Sequence, residues 1–267
     1  MPSASNLIRF LALSVTALSA VATPSRTVPD VLPFNPLQLA ARAPAPEPYL
    51  TTNAQRMARG LPPKKPRFNH ARRLVARQSA TPCVPLAGII GVALDGAPST
   101  GYLASALNAF GEFQYTQNLN EALEVSICFT EGPVFDIKPT NGGNPTYPFL
   151  GAVTGFANSD SNLSPSNFNY VYLAGTTQTP AGSTPQRQAN AFSAAAGVPE
   201  DVESAIWSIN TATNVLSSNW VNTDGSVPAQ TIRFIASSNA FAVTGSVAQF
   251  ESNFGASQGA VLTFIAA

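Results

Sequence analysis

Short apolar runs separated by turn-forming residues dominate the chain from about residue 78 onward. The clearest example is the stretch of residues 204–245, where four runs rich in Ile, Val, Phe, Trp and Thr alternate with small and polar residues. The runs form two pairs. Polar residues 210–214 lie between the members of the first pair, residues 237–239 lie between the members of the second, and Asp224-Gly225 lies between the pairs. Because these residue types favour turns between half-buried strands, the pattern predicts two β-hairpins in an antiparallel meander.

The same pattern predicts further strands on both sides of this stretch. They lie at residues 84–94, 101–116, 121–129, 134–137, 147–152, 167–174 and 261–265. About ten short strands with no long amphipathic helix between them are typical of two packed antiparallel sheets. We therefore expect residues 78–267 to form a single all-β domain, an antiparallel two-sheet sandwich of the jelly-roll kind.

One short helix is expected close to the C-terminal end of this domain. Ser246 starts a capping box, and Val247, Phe250 and Phe254 fall on one face at helical spacing. Gly255 is placed to end the helix, because glycine tolerates the positive φ of a helix C-cap. The helix should pack its apolar face across one end of the sandwich.

Two segments of different character precede the domain. Residues 1–22 contain Arg9, an apolar run and a small-residue sequence ending at Ala22, which together predict a secretory signal peptide cleaved after Ala22. A membrane anchor is the alternative, but the apolar run is shorter than the ~20 residues that cross a bilayer. No later stretch has that length, so no membrane span is expected.

A basic, proline-rich segment follows the signal peptide. Residues 23–77 contain ten of the 23 prolines, and residues 1–77 carry a net charge of +9 against −9 for residues 78–267. A segment of this composition is expected to be disordered, because it cannot bury enough apolar surface to offset the cost of ordering. We interpret it as a propeptide removed after Arg73 or Arg77, with a basic tail for anionic polymers as the alternative.

Predicted secretion shapes the interpretation of the remaining motifs. Nucleic acid is not expected as a partner, because the basic residues lack interleaved aromatic side chains and the chain carries an export signal. We expect an extracellular protein that is either soluble or associated with the cell wall.

Cys83 and Cys128 predict one disulfide bridge, with a reactive or metal-binding thiol as the alternative. Asn162 begins the only acceptable N-glycosylation sequon.

Histidine-dependent chemistry is excluded from the predicted domain. His70 is the single histidine, and it lies in the predicted propeptide. Ser-His-Asp and Cys-His catalysis therefore have no base, and zinc, copper or iron would have no imidazole ligand. Motifs that cradle phosphates or dinucleotides are also absent from the sequence. No metal and no cofactor is expected, and carboxylates remain as candidates for chemistry.

Carboxylates offer two candidate sites. Glu112 and Glu124 are the best pair for glycoside hydrolysis, in which one group acts as acid and the other as nucleophile or base. A solvated outer sheet face is the favoured alternative, since nothing in the sequence places the two strands side by side. Glu200, Asp201 and Glu203 are candidates for a calcium site. An acidic turn is the favoured alternative there, because no recognised loop spacing is present.

Aromatic side chains indicate a binding face. Phe168, Tyr170 and Tyr172 alternate along one predicted strand, so their rings should line a single face. Flat rings can cover the apolar faces of sugars while Asn and Gln side chains bond the hydroxyls. A position in the core is the alternative, and it is favoured for Phe168, whereas Tyr102 and Tyr172 are the better candidates for the surface. Tyr102, Tyr115, Tyr170 and Tyr172 are the candidate ligand-binding residues.

Three stretches resemble a group of secreted proteins of mushroom-forming fungi. They are TTNAQRMARGLPPKKP at residues 51–66, FNYVYLAGTTQ at residues 168–178 and SAIWSINTATNVLSSNWVNTDGS at residues 204–226. The resemblance extends over most of residues 51–267. It implies secretion and a β-rich domain, and it assigns no activity to any residue of this chain.

The function expected from the sequence is that of a secreted, glycan-binding or cell-wall-associated protein without hydrolytic activity. A net charge of −9 on residues 78–267 disfavours anionic partners, so neutral or basic polysaccharides are the expected ligands. A carboxylate-dependent, glycan-active enzyme and a purely structural surface protein are the alternatives. An enzyme requires two carboxylates about 5–10 Å apart across a cleft, whereas binding requires only exposed rings.

Overall fold

The computed structural model describes residues 31–39, 57, 60, 85–128 and 134–267. The predicted signal peptide with Ala22, the processing sites Arg73 and Arg77, and Cys83 lie outside the described residues. The described chain contains strands β1 (Leu86–Leu94), β2 (Gly101–Leu107), β3 (Phe113–Thr116), β4 (Glu124–Ile127), β5 (Ile137–Pro139), β6 (Phe149–Thr154), β7 (Tyr170–Thr176), β8 (Val202–Glu203), β9 (Trp207–Asn210), β10 (Val215–Ser218), β11 (Thr231–Ile235), β12 (Ala240–Thr244) and β13 (Gln258–Ala266). It also contains helices α1 (Ala191–Ala196) and α2 (Val247–Phe254), and a 3-10 turn at Leu119–Glu121.

Eight of these strands form a closed antiparallel β-barrel. Their order around the barrel is β1, β4, β5, β6, β7, β12, β11 and β13, and β13 pairs with β1 to close the ring. The other strands extend the sheet beyond the ring. β2 and β3 continue from β1, β10 and β9 continue from β13, and β8 pairs with β6. Closure leaves the ring itself without an unpaired edge strand.

The predicted two-sheet sandwich is therefore wrong, although the all-β class is confirmed. The decisive pairing joins the first and last strands, and it runs without a break from Gly88↔Ala266 to Leu94↔Ala260. Strands of a sandwich and strands of a barrel show the same alternation of inward and outward residues. The pattern along the chain consequently does not distinguish the two architectures.

Gly88 of β1 allows β13 to pair closely with β1. A Cβ atom on Gly88 would lie 2.3 Å from the backbone oxygen of Ile265 and 2.7 Å from the ring of Phe264. A backbone atom cannot move aside without shifting its strand, so any side chain at position 88 would push β13 away from β1. Gly88 thus sets the spacing of the two strands that close the barrel.

The two C-terminal hairpins are confirmed, but the predicted meander is interrupted. β9 pairs with β10, and β11 pairs with β12. The loops that join them hold Asn214 and Asn239 at positive φ, as the turn signals predict. β13 lies between β10 and β11 in the sheet. The last strand of the chain therefore separates two hairpins that are consecutive in sequence, a long-range pairing that local turn signals do not encode.

The single strand predicted for residues 101–116 is in fact two strands joined by a tight turn. The N–H of Gly111 donates to the Asn108 carbonyl at 3.0 Å, and Gly111 has a φ of 77°. The Asn108 Oδ1 atom accepts from the backbone N–H of Glu112 at 3.1 Å. Such side-chain hydrogen bonds compete with a strand ladder, which is why asparagine favours turns.

The predicted C-terminal helix is confirmed as α2, whereas α1 is an addition. In α2 the Ser246 side chain accepts from the N–H of Gln249 at 3.4 Å, and Gly255 follows the last turn with a φ of 88°. α1 has its own caps, Asn190 before it and Gly197 with a φ of 72° after it. Its six residues are too few to show a helical period in the sequence.

Alternation along the barrel strands creates two apolar layers. On β7, Val171 and Leu173 belong to the layer that includes most of the buried barrel residues, whereas Tyr170 and Tyr172 belong to a second layer on the opposite face. Helices α1 and α2 and residues 31–39, here called the docked segment, contribute to this second layer. Every residue of β7 is therefore buried, and the candidate site lies on its outer face.

Candidate functional site

The outer apolar layer contains a group of closely packed aromatic rings. β7 supplies Tyr170 and Tyr172, α1 supplies Phe192, and α2 supplies Phe250 and Phe254. The Tyr172 and Phe192 ring centroids lie 4.5 Å apart in a stacked arrangement, and the Tyr170 and Phe250 centroids lie 5.4 Å apart in an edge contact. Both arrangements are favourable beyond simple burial. We call these five rings the aromatic cleft.

The docked segment enters the aromatic cleft with one side chain, that of Phe34. Its ring centroid lies 5.0 Å from those of both Tyr170 and Tyr172, stacked on the first and edge-on to the second. Phe250 and Phe254 make further edge contacts with it at 6.2 and 6.5 Å. Four rings thus surround the Phe34 ring, which leaves that residue only 7% exposed.

The cleft also binds the backbone of the docked segment. The carbonyl oxygen of Phe34 accepts hydrogen bonds from the hydroxyls of Tyr170 at 2.7 Å and Tyr172 at 2.5 Å. The two hydroxyls accept in turn from the backbone N–H groups of Ala157 and Phe156, respectively. A hydroxyl has one proton to donate. The two hydroxyls also lie 3.0 Å from each other, where either can be the donor, so at least one of the two protons is directed at the Phe34 carbonyl oxygen.

A buried carboxyl group, that of Glu112, borders the docked segment. The turn before β3 positions it: Asn108 Nδ2 donates to Glu112 Oε2 at 2.5 Å, and the Glu112 backbone bridges to Ala174 of β7. Asn35 of the docked segment donates to the same Oε2 atom at 3.1 Å. The Glu112 residue is 0% exposed, and its Oε1 atom has no hydrogen-bond partner.

Burial changes the proton affinity of the groups in this site. It raises the pKa of Glu112 from the usual 4.5 to about 7, and the hydrogen bonds from Asn108 and Asn35 oppose this shift. Burial also raises the pKa values of Tyr170 and Tyr172 well above 10. The tyrosines therefore remain hydrogen-bond donors at neutral pH, whereas Glu112 changes between acid and carboxylate close to it. Such shifts are concentrated at functional sites.

The chemistry of this arrangement is that of a binding site. It offers flat ring faces, two hydroxyl donors for one carbonyl oxygen, and a carboxyl group for an amide. Among the described residues the second fully enclosed carboxyl is Glu203, and it accepts from the backbone N–H of Val221 at 3.1 and 3.2 Å. A mechanism with two carboxylates therefore lacks its second group at this site.

The structure separates the four tyrosines that were candidates for ligand binding. Tyr170 and Tyr172 lie together in the aromatic cleft, but both are fully buried. Tyr115 packs against the larger apolar layer, and its hydroxyl is buried without a hydrogen-bond partner. Tyr102 lies on β2 and is partly exposed. The four rings do not form one open face.

Glu112 and Glu124 are not brought together. The Glu112 backbone bridges to Ala174 of β7, whereas Glu124 is exposed at the start of β4 and pairs with Ile89 of β1. β5 and β6 separate β4 from β7 around the barrel. Glu124 therefore does not face Glu112 across a cleft.

The acidic residues proposed for a calcium site also have separate partners. Asp201 pairs with Arg187 at 2.8 Å, and Glu203 accepts from a backbone N–H. Burial raises the pKa of Glu200 to about 7. Within the described ranges, no three His, Cys, Asp or Glu side chains converge on a possible metal position.

Two predicted modifications stay predictions. Asn162 is partly exposed, and its Oδ1 atom accepts from the backbone and the hydroxyl of Thr223, both at 2.8 Å. Cys83, the predicted partner of Cys128, lies outside the described residues, and none of the described cysteines is free.

Sequence reasoning missed the residues that organise the aromatic cleft. Phe34 and Asn35 lie in a segment that was assessed by its overall composition, although binding depends on one anchor residue. The signal that was present is the rarity of aromatic residues in that proline-rich segment. Asn108 and Gly111 form a turn signal directly before Glu112. The alternation of the surrounding residues nevertheless led to the prediction of one uninterrupted strand at this position.

A second concave site lies on another part of the barrel surface. It is a cavity of about 640 Å³ whose lining includes Ser126 of β4, Asp136 and Lys138 around β5, Phe149 of β6 and Gln178 after β7. The amide of Gln178 donates to Asp136 Oδ2 at 2.8 Å. Its volume falls in the range of about 300–1,000 Å³ that small-molecule sites occupy.

Comparisons with known proteins add no further constraint on the site. In the part of the chain described here, neither helix has the length and apolar character needed to cross a membrane. No protein-family model, no curated protein and no solved structure matches the chain.

Proposed function

We propose that the protein is a secreted precursor whose barrel domain binds an aromatic side chain carried on an extended peptide. Its own docked segment is the first occupant of the binding site. The observation that supports this proposal is the set of contacts made by Phe34, whose ring is surrounded by the cleft and whose carbonyl oxygen accepts from both tyrosine hydroxyls.

The docked segment is held mainly at one point, as a peptide ligand would be. Phe34 is 7% exposed, whereas Val31, Leu32 and Leu37 are 47%, 40% and 91% exposed. Outside Phe34, the Leu32 N–H donates to the carbonyl of Asn253 at 2.7 Å. Concentration of burial in one aromatic residue is typical of the anchor positions of interfaces. Burial of a phenylalanine side chain contributes about 1.5–3 kcal/mol.

The docked segment competes with any external ligand of the cleft. A ligand joined to its site by the same chain competes at an effective concentration set by the length and stiffness of the connection, which here is residues 40–84. An external peptide therefore gains access only when the docked segment is weakened or removed. Removal of the predicted propeptide would have this effect, and secretion would then deliver a domain with an open site.

Replacing Phe34 with alanine is expected to open the cleft to an external peptide. A fluorescent peptide with the sequence of residues 31–39 should bind the full-length Phe34→Ala protein about tenfold or more tightly than it binds wild type, because the internal competitor has lost its anchor. Leu37→Ala removes an exposed leucine from the same segment and should behave as wild type. Fluorescence anisotropy titrations measure the three affinities.

Two controls make this experiment specific. A peptide with alanine in place of its phenylalanine should bind the Phe34→Ala protein at least about tenfold more weakly than the original peptide. Circular dichroism should show that all variants are folded. A folded Phe34→Ala protein that binds neither peptide contradicts the proposal.

Glycan binding is retained as a second candidate function, and the polar cavity rather than the tyrosines favours it. Phe34 covers Tyr170 and Tyr172, so these rings cannot meet a polysaccharide in the full-length chain. The cavity carries one acidic side chain, Asp136, and one basic side chain, Lys138. A neutral polyhydroxyl ligand can donate to the first and accept from the second.

Insoluble chitin, β-glucan or cellulose is expected to deplete the protein from solution without release of sugar. Asp136→Asn should weaken this binding by about tenfold, because it removes a charged hydrogen-bond acceptor. Glu121→Gln removes an exposed carboxylate elsewhere and should leave binding unchanged. A failure of all three polymers to deplete the protein rejects this candidate, and release of sugar favours an enzyme instead.

A further inference from the structure

Two buried oxygen atoms that lack hydrogen-bond partners belong to the same pair of side chains. Asn35 Nδ2 donates to Glu112 Oε2 at 3.1 Å. The remaining terminal atoms of the two groups, Asn35 Oδ1 and Glu112 Oε1, are both buried, and neither has a hydrogen-bond partner. Buried polar atoms are nearly always satisfied in folded proteins, so two unsatisfied atoms on one interacting pair require an explanation.

A proton on Glu112 would supply the donor that both atoms lack. A carboxylate has only acceptor oxygens, and the amide oxygen of asparagine is also an acceptor, so Oε1 and Oδ1 cannot bond each other when Glu112 is ionised. A carboxylic acid has one O–H donor. With the proton on Oε1, Glu112 can donate to Asn35 Oδ1 while Asn35 Nδ2 donates to Oε2. The planar carboxyl and the planar carboxamide then share two antiparallel hydrogen bonds.

We propose that Glu112 in its acid form recognises a carboxamide side chain directly after the aromatic anchor, so that the cleft selects an aromatic residue followed by asparagine. This inference rests on the proposed function and adds the second position of the peptide ligand. Glu112 acts as a specificity-determining residue, and Asn108 holds its carboxyl group in place through the 2.5 Å bond to Oε2.

The surroundings of Glu112 favour its acid form. The residue is 0% exposed, and the side chains that donate to it, Asn108 and Asn35, are neutral. The titratable groups that face it are Tyr170 and Tyr172 of β7, whose pKa values are raised in part by Glu112, and Glu200, which follows α1 and also raises the pKa of Tyr170. In agreement with this environment, burial raises the pKa of Glu112 to about 7.

The helices that pack over the cleft add no charge that opposes this state. α1 has the sequence AFSAAA and carries no titratable side chain. The single acidic residue of α2, Glu251, bonds Arg233 and Ser257. Protonation of Glu112 is therefore decided chiefly by its burial beneath the ligand.

Ligand binding should consequently depend on pH. An emptied cleft admits water to Glu112, so the pKa of its carboxyl should move back toward 4.5. Between pH 4.5 and about pH 7, the occupied site keeps a proton that the empty site releases. The affinity for the peptide is therefore highest at low pH and falls as the pH rises toward about 7. Above that value both forms are ionised, and affinity should be low and constant.

The test uses the full-length Phe34→Ala protein and two fluorescent peptides of residues 31–39, one with the native asparagine and one with leucine at the Asn35 position. At pH 5.5 the native peptide should bind about tenfold or more tightly than the leucine peptide, because the leucine leaves the buried carboxyl without its partner. Between pH 5.5 and pH 8.5 the affinity of the native peptide should fall by about tenfold or more.

Glu112→Gln in the same protein separates specificity from pH dependence. A glutamine amide can both donate to and accept from asparagine, so this variant should keep the preference for the native peptide. It cannot titrate, so the fall in affinity with pH should disappear. Glu121→Gln removes an exposed carboxyl that bonds Thr116 and Asn118 away from the cleft, and it should leave the pH dependence unchanged.

The outcomes separate this inference from the function on which it rests. Equal affinity for the asparagine and leucine peptides, or a pH dependence that survives Glu112→Gln, overturns the role of Glu112 while peptide binding stands. Failure of both peptides to bind at either pH overturns both proposals. A preference for asparagine at pH 5.5, together with a fall in affinity between pH 5.5 and pH 8.5 that disappears in the Glu112→Gln form, supports the inference.

Discussion

Wild-type protein is expected to lose on the order of 5 kcal/mol of its unfolding free energy as the pH rises from 5 to 9, chiefly through Glu203. This residue is 3% exposed. Burial raises the pKa of its carboxyl from the usual 4.5 to about 9, and the hydrogen bond from the Val221 N–H opposes the shift. Between these two values the unfolded chain releases a proton that the folded protein keeps. Stability is therefore full below about pH 4.5 and falls until about pH 9.

Glu203→Gln should remove the part of this decline that continues above about pH 7. The glutamine oxygen can still accept from the N–H of Val221, but the side chain cannot ionise. Urea unfolding at pH 5, 7 and 9 measures the effect, and Glu121→Gln, at an exposed position, should retain the wild-type profile. Glu112 and Glu200 add smaller declines that end near pH 7, where their own pKa values lie. Wild-type stability that increases between pH 5 and pH 8 contradicts this prediction.

Trp207→Ala is expected to lower the unfolding free energy by about 3–5 kcal/mol. Trp207 is fully buried in the larger apolar layer, and its indole N–H donates to the carbonyl of Leu150 at 2.6 Å. Its backbone also exchanges hydrogen bonds with Phe135. Truncation therefore creates a cavity and removes the contact that joins the β9 side chain to β6.

Two further variants identify the origin of that loss. Trp207→Phe retains much of the ring volume and loses the N–H donor, so it should cost about 1–2 kcal/mol. Leu119→Ala removes a side chain that is 58% exposed and should change stability by about 0.5 kcal/mol or less. Denaturant unfolding of the three variants provides the comparison. A loss below about 1 kcal/mol for Trp207→Ala would show that the surrounding side chains refill its space.

Part of the candidate site follows from the sequence. Alternation along β7 predicts that Tyr170 and Tyr172 share a face, and the structure places both in the outer apolar layer. What covers that face does not follow from alternation, because a buried ring and an exposed ring produce the same pattern along one strand. The cover is Phe34, 136 residues away from Tyr170 in the chain.

The proton affinity of Glu112 also depends on distant residues. The sequence shows a carboxylate between alternating apolar residues, which suits a solvated strand position. The turn at Asn108 redirects the chain there, and Asn35 approaches from 77 residues away. Desolvation by these neighbours raises the pKa, so the group becomes a candidate for function only after folding.

The sequence by itself determined the all-β class, the two C-terminal hairpins and the capped helix α2. These features arise from hydrogen bonds and side-chain positions within a few residues of one another, such as Ser246 and Gln249. Only the tertiary structure decided the closure of the barrel, the enclosure of the aromatic cleft and the burial of Glu112. Each of these depends on contacts between remote parts of the chain, Gly88 with Ala266 or Phe34 with Tyr172. Local patterns record which face of a strand is apolar, and they do not record which partner covers it.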